Sequence, residues 1–136
     1  MKLEFQRNFL WIGIVLYLIC LSQDAFYVSG RNPDAWSNGL GLLLTGWVGH
    51  ISWLANPILF LSWMFFAWEK YTVCLVTSVF ALLIALAFLM TDSIVVSTRP
   101  DYELVVSYEI GYYFWLCSML ASIVVSFWGI LARADV

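Results

Sequence analysis

The chain has 136 residues and a formal net charge of −3, and it is 63% hydrophobic, 18% aromatic and only 11% charged. A soluble domain carries roughly 25% charged residues, so this chain has too few to clothe a water-facing surface, and its surplus apolar surface is expected to face lipid. The small net charge and the lack of a basic run exclude a nucleic-acid partner, and the length suits one integral membrane domain over 1–136.

The opening MKLEFQRN is mixed in charge, and Phe9 to Leu21 is then a nearly pure apolar run between Arg7 and Asp24. Basic residues ahead of an apolar core resemble a secretory signal, but Cys20-Leu21-Ser22-Gln23 lacks the small-x-small cleavage pattern. The run therefore reads as a retained first helix over about 9–28. The next stretch, 29–38 (SGRNPDAWSN), is a loop by its Gly, Asn-Pro, Asp and Ser-Asn turn chemistry.

Between Asp34 and Glu69 there is no formal charge, yet glycines, one histidine and an Asn-Pro pair interrupt the run. As one straight helix, 39–69 would be about 45 Å long, against a hydrocarbon core of about 30 Å. It is expected to tilt or to break, with the break near Asn56-Pro57, where proline removes a donor and crowds the preceding turn. Gly46 and Gly49 would admit a close backbone just before it. The second span, about 40–68 and broken, ends in Trp63, Phe65, Phe66 and Trp68, residues suited to the membrane–water boundary.

Glu69-Lys70 is a very short turn, so the second and third spans (the third about 71–90) form an antiparallel hairpin. The longest polar segment, 91–109, reads first as an irregular loop, with a small hairpin over the bundle, turning at Arg99-Pro100-Asp101, as the alternative. The fourth span, about 110–131, is entered through Tyr112, Tyr113 and Trp115 and left through Trp128 and Arg133. The fold class is thus an all-α membrane protein, a four-helix transmembrane bundle with a kinked second helix. Lysine and arginine counting places Lys2, Arg7, Lys70 and Arg133 inside, so both termini are expected to be cytoplasmic. Asp24, Asp34, Asp92, Asp101, Glu103 and Glu109 then face outward against Arg31 and Arg99.

Helices in lipid associate through small residues and a few hydrogen bonds. Gly49, Ser52 and Asn56 lie on one stripe of the second element, Ser78, Ala81 and Ala85 on the third, and Ser118, Ser122 and Ser126 or Gly129 on the fourth. Tight contact among these three is expected. The first helix offers a weaker stripe, Gly13, Tyr17 and Cys20, and is expected to pack more peripherally or to face a partner.

The candidate packing or ligand residues are Gly46, Gly49, His50, Ser52, Trp53, Asn56 and Pro57. His50 is the single histidine; it reads either as a proton-sensing or ligand-contacting group or as a neutral imidazole bonded within the bundle. Asn56-Pro57 either opens carbonyls to a substrate, as in transporters, or lets Asn56 satisfy the groups a kink releases. The acidic outer loop, Asp92, Asp101, Glu103 and Glu109, either draws cations or a basic partner or is a solvated loop. Trp36, Trp47 and Trp53 are candidates for a lipid or partner groove. No second histidine or neighbouring acid completes a metal site or a base–nucleophile pair, so no metal, cofactor or catalytic residue is expected and the chain is read as a non-enzyme. Cys20, Cys74 and Cys117 form no Cys-x-x-Cys pair, and a disulfide between Cys20 and Cys117 stays open.

Ser22-Gln23-Asp24-Ala25-Phe26, then Gly46-Trp47-Val48-Gly49, then Trp53-Leu54-Ala55-Asn56-Pro57 resembles a family of small four-span bacterial inner-membrane proteins with Gly-Trp-x-Gly and Trp-x-Ala-Asn-Pro steps. The resemblance covers about the first two thirds of the chain. It implies a multi-pass protein of the bacterial inner membrane and carries over no catalytic residue. Members often have cysteines in the first outer loop; none stands there in this sequence. The function these readings imply is action by contact in the bilayer, as an accessory subunit or partner-binding protein, an immunity-type protein being one form. The partners would be lipid and either further copies of the chain or another membrane protein. The alternative is an oligomeric channel or carrier for a small solute or ion.

Overall fold

The structure is a computed structural model that describes residues 2–28, 38–48, 50–95 and 102–134. Among these residues the chain is mostly helical, with five α-helices: α1 (Lys2–Ser22), α2 (Gly39–Thr45), α3 (Ala55–Ala67), α4 (Tyr71–Ala87) and α5 (Ile110–Ala134). Three strands, β1 (Phe26–Val28), β2 (Ser93–Val95) and β3 (Tyr102–Tyr108), form an antiparallel sheet in the order β1-β3-β2. Two helical stretches are long and apolar enough to cross a membrane, Tyr71–Met90 and Ile110–Ala134, with mean hydropathies of 2.8 and 2.0. Arg7–Ser22 and Ile51–Ala67 are shorter apolar stretches.

The long helices exclude bulk from their contact lines. Ser62 on α3, Ser78, Ala81 and Ala85 on α4, and Ser118, Ser122 and Ser126 on α5 are fully buried. Apart from Ser78, these serines pack as small groups because their hydroxyls turn back onto their own helices: Ser62 donates to the Leu59 carbonyl (2.8 Å), Ser118 to Trp115 (2.7 Å), Ser122 to Ser118 (3.0 Å) and Ser126 to Ser122 (2.6 Å). A satisfied hydroxyl little larger than a methyl lets two helix backbones approach.

Three sequence expectations are corrected here. The first helix ends at Ser22, and Phe26–Val28 is a strand paired with β3, so helix does not continue to Val28. The polar segment holds two paired strands, with Ser93 opposite Leu104 and Val95 opposite Tyr102, so the hairpin reading replaces the irregular loop and the fold is not wholly helical. The turn of that hairpin, Arg99-Pro100-Asp101, lies outside the described residues. The first helix is also not peripheral. The most extensive helix pairing is α1 with α5, followed by α3 with α4 and α4 with α5. At Gly13 a Cβ would stand only 3.3 Å from the Ala121 Cβ, so the weak stripe on α1 is a close-approach surface. The third and fifth helices meet instead through long side chains, Trp63 donating to the Ser122 hydroxyl at 2.9 Å.

At one end of the bundle α3 turns directly into α4, and Arg133 near the end of α5 reaches Glu69 in that turn at 2.6 Å. Close to that end, Phe9 of α1 packs edge-to-face on Trp128 of α5, centroids 5.5 Å apart. The sheet and α2 occupy the other end. All three cysteines are free, with Cys20 and Cys74 buried and Cys117 exposed, so the Cys20–Cys117 bond does not form.

Candidate functional site

The broken second element is built in four pieces. Asn38 caps α2, its side chain accepting from the Gly41 amide at 2.7 Å. After α2 come two 3₁₀ segments, Gly46–Val48 and Ile51–Leu54, and then α3. The break therefore lies at 46–54, ahead of Asn56-Pro57. Pro57 stands in the first turn of α3, where the amides lack intrahelical partners and its missing donor costs nothing. The chain folds back on itself at the break: Trp53 Nε1 donates to the Leu43 carbonyl at 2.9 Å. A Cβ on Gly46 would come within 2.9 Å of Trp53 Cδ1, so the glycine makes room for that indole.

His50 caps the second 3₁₀ segment. Its Nδ1 accepts from the Ser52 amide at 3.1 Å and lies 2.9 Å from the Ser52 hydroxyl. An acceptor at Nδ1 leaves the proton of the neutral ring on Nε2, which faces Thr91 Oγ1 at 3.2 Å. The imidazole thus ties the break to the chain just ahead of β2, and it packs edge-to-face on Phe88 with centroids 5.3 Å apart. Ser52 is buried beneath it.

Asn56 is the polar centre of the bundle. Its Oδ1 accepts from Tyr17 of α1 at 2.9 Å and from Trp115 Nε1 of α5 at 2.9 Å, so one side chain of α3 holds two other helices. Tyr17 and Trp115 were visible in the sequence as a stripe residue and an interface aromatic. Their bond to Asn56 spans 39 and 59 residues, and no local pattern signals it. Thr91, the partner of His50, carried no signal at all.

Among the described residues the outer acids divide between the two sides of the sheet. Asp24 and Glu109 lie on the β1 side, where Asp24 accepts from Tyr27 at 3.4 Å and Glu109 from Ser107 at 2.9 Å. Asp92 is exposed on the β2 side, its carbonyl accepting from the Val105 amide at 3.1 Å. Burial, with the Asp92 carboxylate second, raises the phenol of Tyr108 above its ordinary range. That phenol remains a donor to the Phe88 carbonyl at 2.9 Å. Gly49, Trp36, Asp34, Asp101, Arg31 and Arg99 lie outside the described residues, and Glu103 is placed by its backbone in β3. Of the groove candidates, Trp47 is exposed and Trp53 is half-buried against Gly46.

Among the described residues no cluster of three or more His, Cys, Asp or Glu side chains is placed to hold a metal ion. Comparison with family models, with characterised proteins and with solved structures returns no match.

Proposed function

We propose that the chain is a small four-span integral membrane protein that acts by contact, as an accessory subunit or partner-binding protein in the bilayer, an immunity-type role being one form. The observation that carries this reading is where the polar groups of the broken element point. Asn56 serves Tyr17 and Trp115, and His50 serves Ser52 and Thr91, so the interior chemistry is spent on holding helices together. The outward surface of the same element is apolar, with Leu44, Trp47 and Ile51 exposed by 66%, 67% and 71%.

The membrane reading is supported by the faces of α4 and α5. Only 28% and 39% of their most apolar windows are buried, whereas the core helix of a soluble protein is mostly covered. Exposed Val76, Phe80 and Leu83 on α4 and Leu120, Val124 and Phe127 on α5 need an apolar solvent. The remaining two crossings fall in this reading to the shorter apolar stretches Arg7–Ser22 and Ile51–Ala67, each about 25 Å long, which would span with their flanking residues at the interfaces and a locally thinned bilayer. The contacts Phe9–Trp128 and Arg133–Glu69 support both chain ends on one side, and the lysine and arginine bias makes that side cytoplasmic. The location in a bacterial inner membrane follows from the family resemblance alone.

A photo-crosslinking side chain placed at Trp47 or Ile51, activated in intact membranes, tests the contact reading. A discrete protein adduct at these positions and none at Val76 is the expected result. Adducts to lipid alone at every position, together with ion or solute flux through liposomes that Asn56→Ala abolishes, would replace it with the channel reading.

A further inference from the structure

The end of the bundle where α3 turns into α4 carries a groove of about 240 Å³ that the contact reading does not use. Its walls are apolar, from Tyr71, Val73 and Ile130, and its rim is charged, from Lys70, Arg133 and Glu69. A short, open apolar cleft with cations at its rim suits the glycerol end of a phospholipid, whose phosphate meets the rim while the first methylenes of an acyl chain lie against the walls. Arg133 already bridges Glu69 at 2.6 Å and lies 4.9 Å from the Tyr71 ring centroid, but the bridge is more than half exposed on both sides. An exposed pair of this kind is worth little, so its guanidinium is available to a second anion. Lys70 is exposed in the turn itself. The rim therefore offers two cations against one acid, at the helix ends where the membrane reading puts the headgroups.

We infer that this groove is a binding site for an anionic phospholipid of the leaflet on that side. The inference rests on the membrane reading above. Basic side chains at a leaflet surface each contribute about a fivefold factor in affinity for anionic lipid. Native mass spectrometry of the full chain in mild detergent, titrated with phosphatidylglycerol, with phosphatidylcholine of equal chain length, and with glycerol phosphate, is the test. Phosphatidylglycerol is expected to be retained in preference to phosphatidylcholine, and glycerol phosphate not at all. Lys70→Gln and Arg133→Gln should each lower that retention about fivefold, and Glu69→Gln should raise it, since it frees Arg133. All three positions are exposed, so folding is not at stake.

Equal retention of both lipids, or loss in Glu69→Gln as large as in Lys70→Gln, would overturn the site. Retention of glycerol phosphate would show a plain anion site in its place. A chain that stays monodisperse without any detergent would instead remove the membrane reading on which the inference stands.

Discussion

At one end of the bundle α3 passes into α4 through Trp68, Glu69 and Lys70, and α5 is tied to that turn by side chains, Arg133 bridging the exposed Glu69 and lying over the Tyr71 ring. At the other end the chain between the helices is woven together. The Gly39 amide donates to the Gln23 carbonyl (2.9 Å), Gly111 to Asp24 (2.9 Å) and Glu109 to Ala25 (2.8 Å). Residues 23–25 thus receive the starts of both α2 and α5, and β3 lies between β1 and β2. The first end is closed by local turn geometry, the second by backbone pairing between distant segments. A side-chain change should therefore be absorbed at the turn, whereas the woven end has backbone on both sides of its closest contacts and little room to give.

The largest effect is expected just inside the woven end, at Asn56. Asn56→Leu leaves the Tyr17 hydroxyl and the Trp115 indole as buried donors without their acceptor, a loss of about 2–4 kcal/mol. Tyr17→Phe removes only one bond and should cost about 1 kcal/mol. Unfolding of each variant in detergent, followed by circular dichroism, measures both. Equal losses would mean that the two donors do not share Asn56.

The glycines compare the two ends directly. A Cβ on Gly111 would meet the Asp24 carbonyl oxygen at 2.6 Å, and one on Gly129 would meet the Tyr71 ring at 2.6 Å. The distances are the same, but the first obstacle is backbone held in the weave and the second is a side chain, which can shift only as a whole because Tyr71 Cγ itself lies at 2.6 Å. Gly111→Ala is expected to destabilise by about 1–3 kcal/mol and Gly129→Ala by clearly less. The reverse order in a thermal melt would show that the turn end is the rigid one.

The same contrast explains what the sequence made legible. The turn end was readable because its signals are local: two polar residues between apolar runs permit only an antiparallel hairpin, and the small residues of α4 and α5 repeat at helical spacing. The woven end was not. Ser-Ile-Val and Phe-Tyr-Val are too short to announce strands, and β1 and β3 pair across about eighty residues. The break was misplaced for a related reason. Proline at 57 is a visible helix breaker, but it sits in a first turn that tolerates it, while the actual interruption is set by Trp53 folding over Gly46 and by the His50 cap. Of the candidate residues, His50 and Asn56 were read from the sequence either as ligand-contacting or as bonded within the bundle, and their partners Thr91, Tyr17 and Trp115 required the fold.

His50 gives a middle-sized test of the break. His50→Ala removes the cap on Ser52 and the bond to Thr91 and is expected to cost about 1 kcal/mol. His50→Asn restores a capping acceptor but does not reach Thr91, so it should recover most of the loss. Hydrogen exchange at the Ser52 amide separates the two: it should quicken in the alanine variant and stay slow in the asparagine variant.

The smallest expected change has the opposite sign and sits in the turn. The α3 terminus closes as a Schellman motif, with the Lys70 amide donating to the Phe65 carbonyl (2.9 Å) and the Glu69 amide to Phe66 (2.9 Å). That geometry needs a left-handed residue, and Glu69 supplies it at φ 57°, the one non-glycine residue with positive φ among those described. A side chain there costs about 1–2 kcal/mol, whereas the exposed bridge to Arg133 returns about 0–1 kcal/mol. Glycine's larger entropy loss on folding opposes the gain by about 0.5–1 kcal/mol, so Glu69→Gly is expected to stabilise the protein by up to about 1 kcal/mol, read as a raised melting temperature in the same detergent. A lowered one would mean that the Glu69–Arg133 bridge outweighs the backbone strain, and that this end too depends on a contact between distant residues.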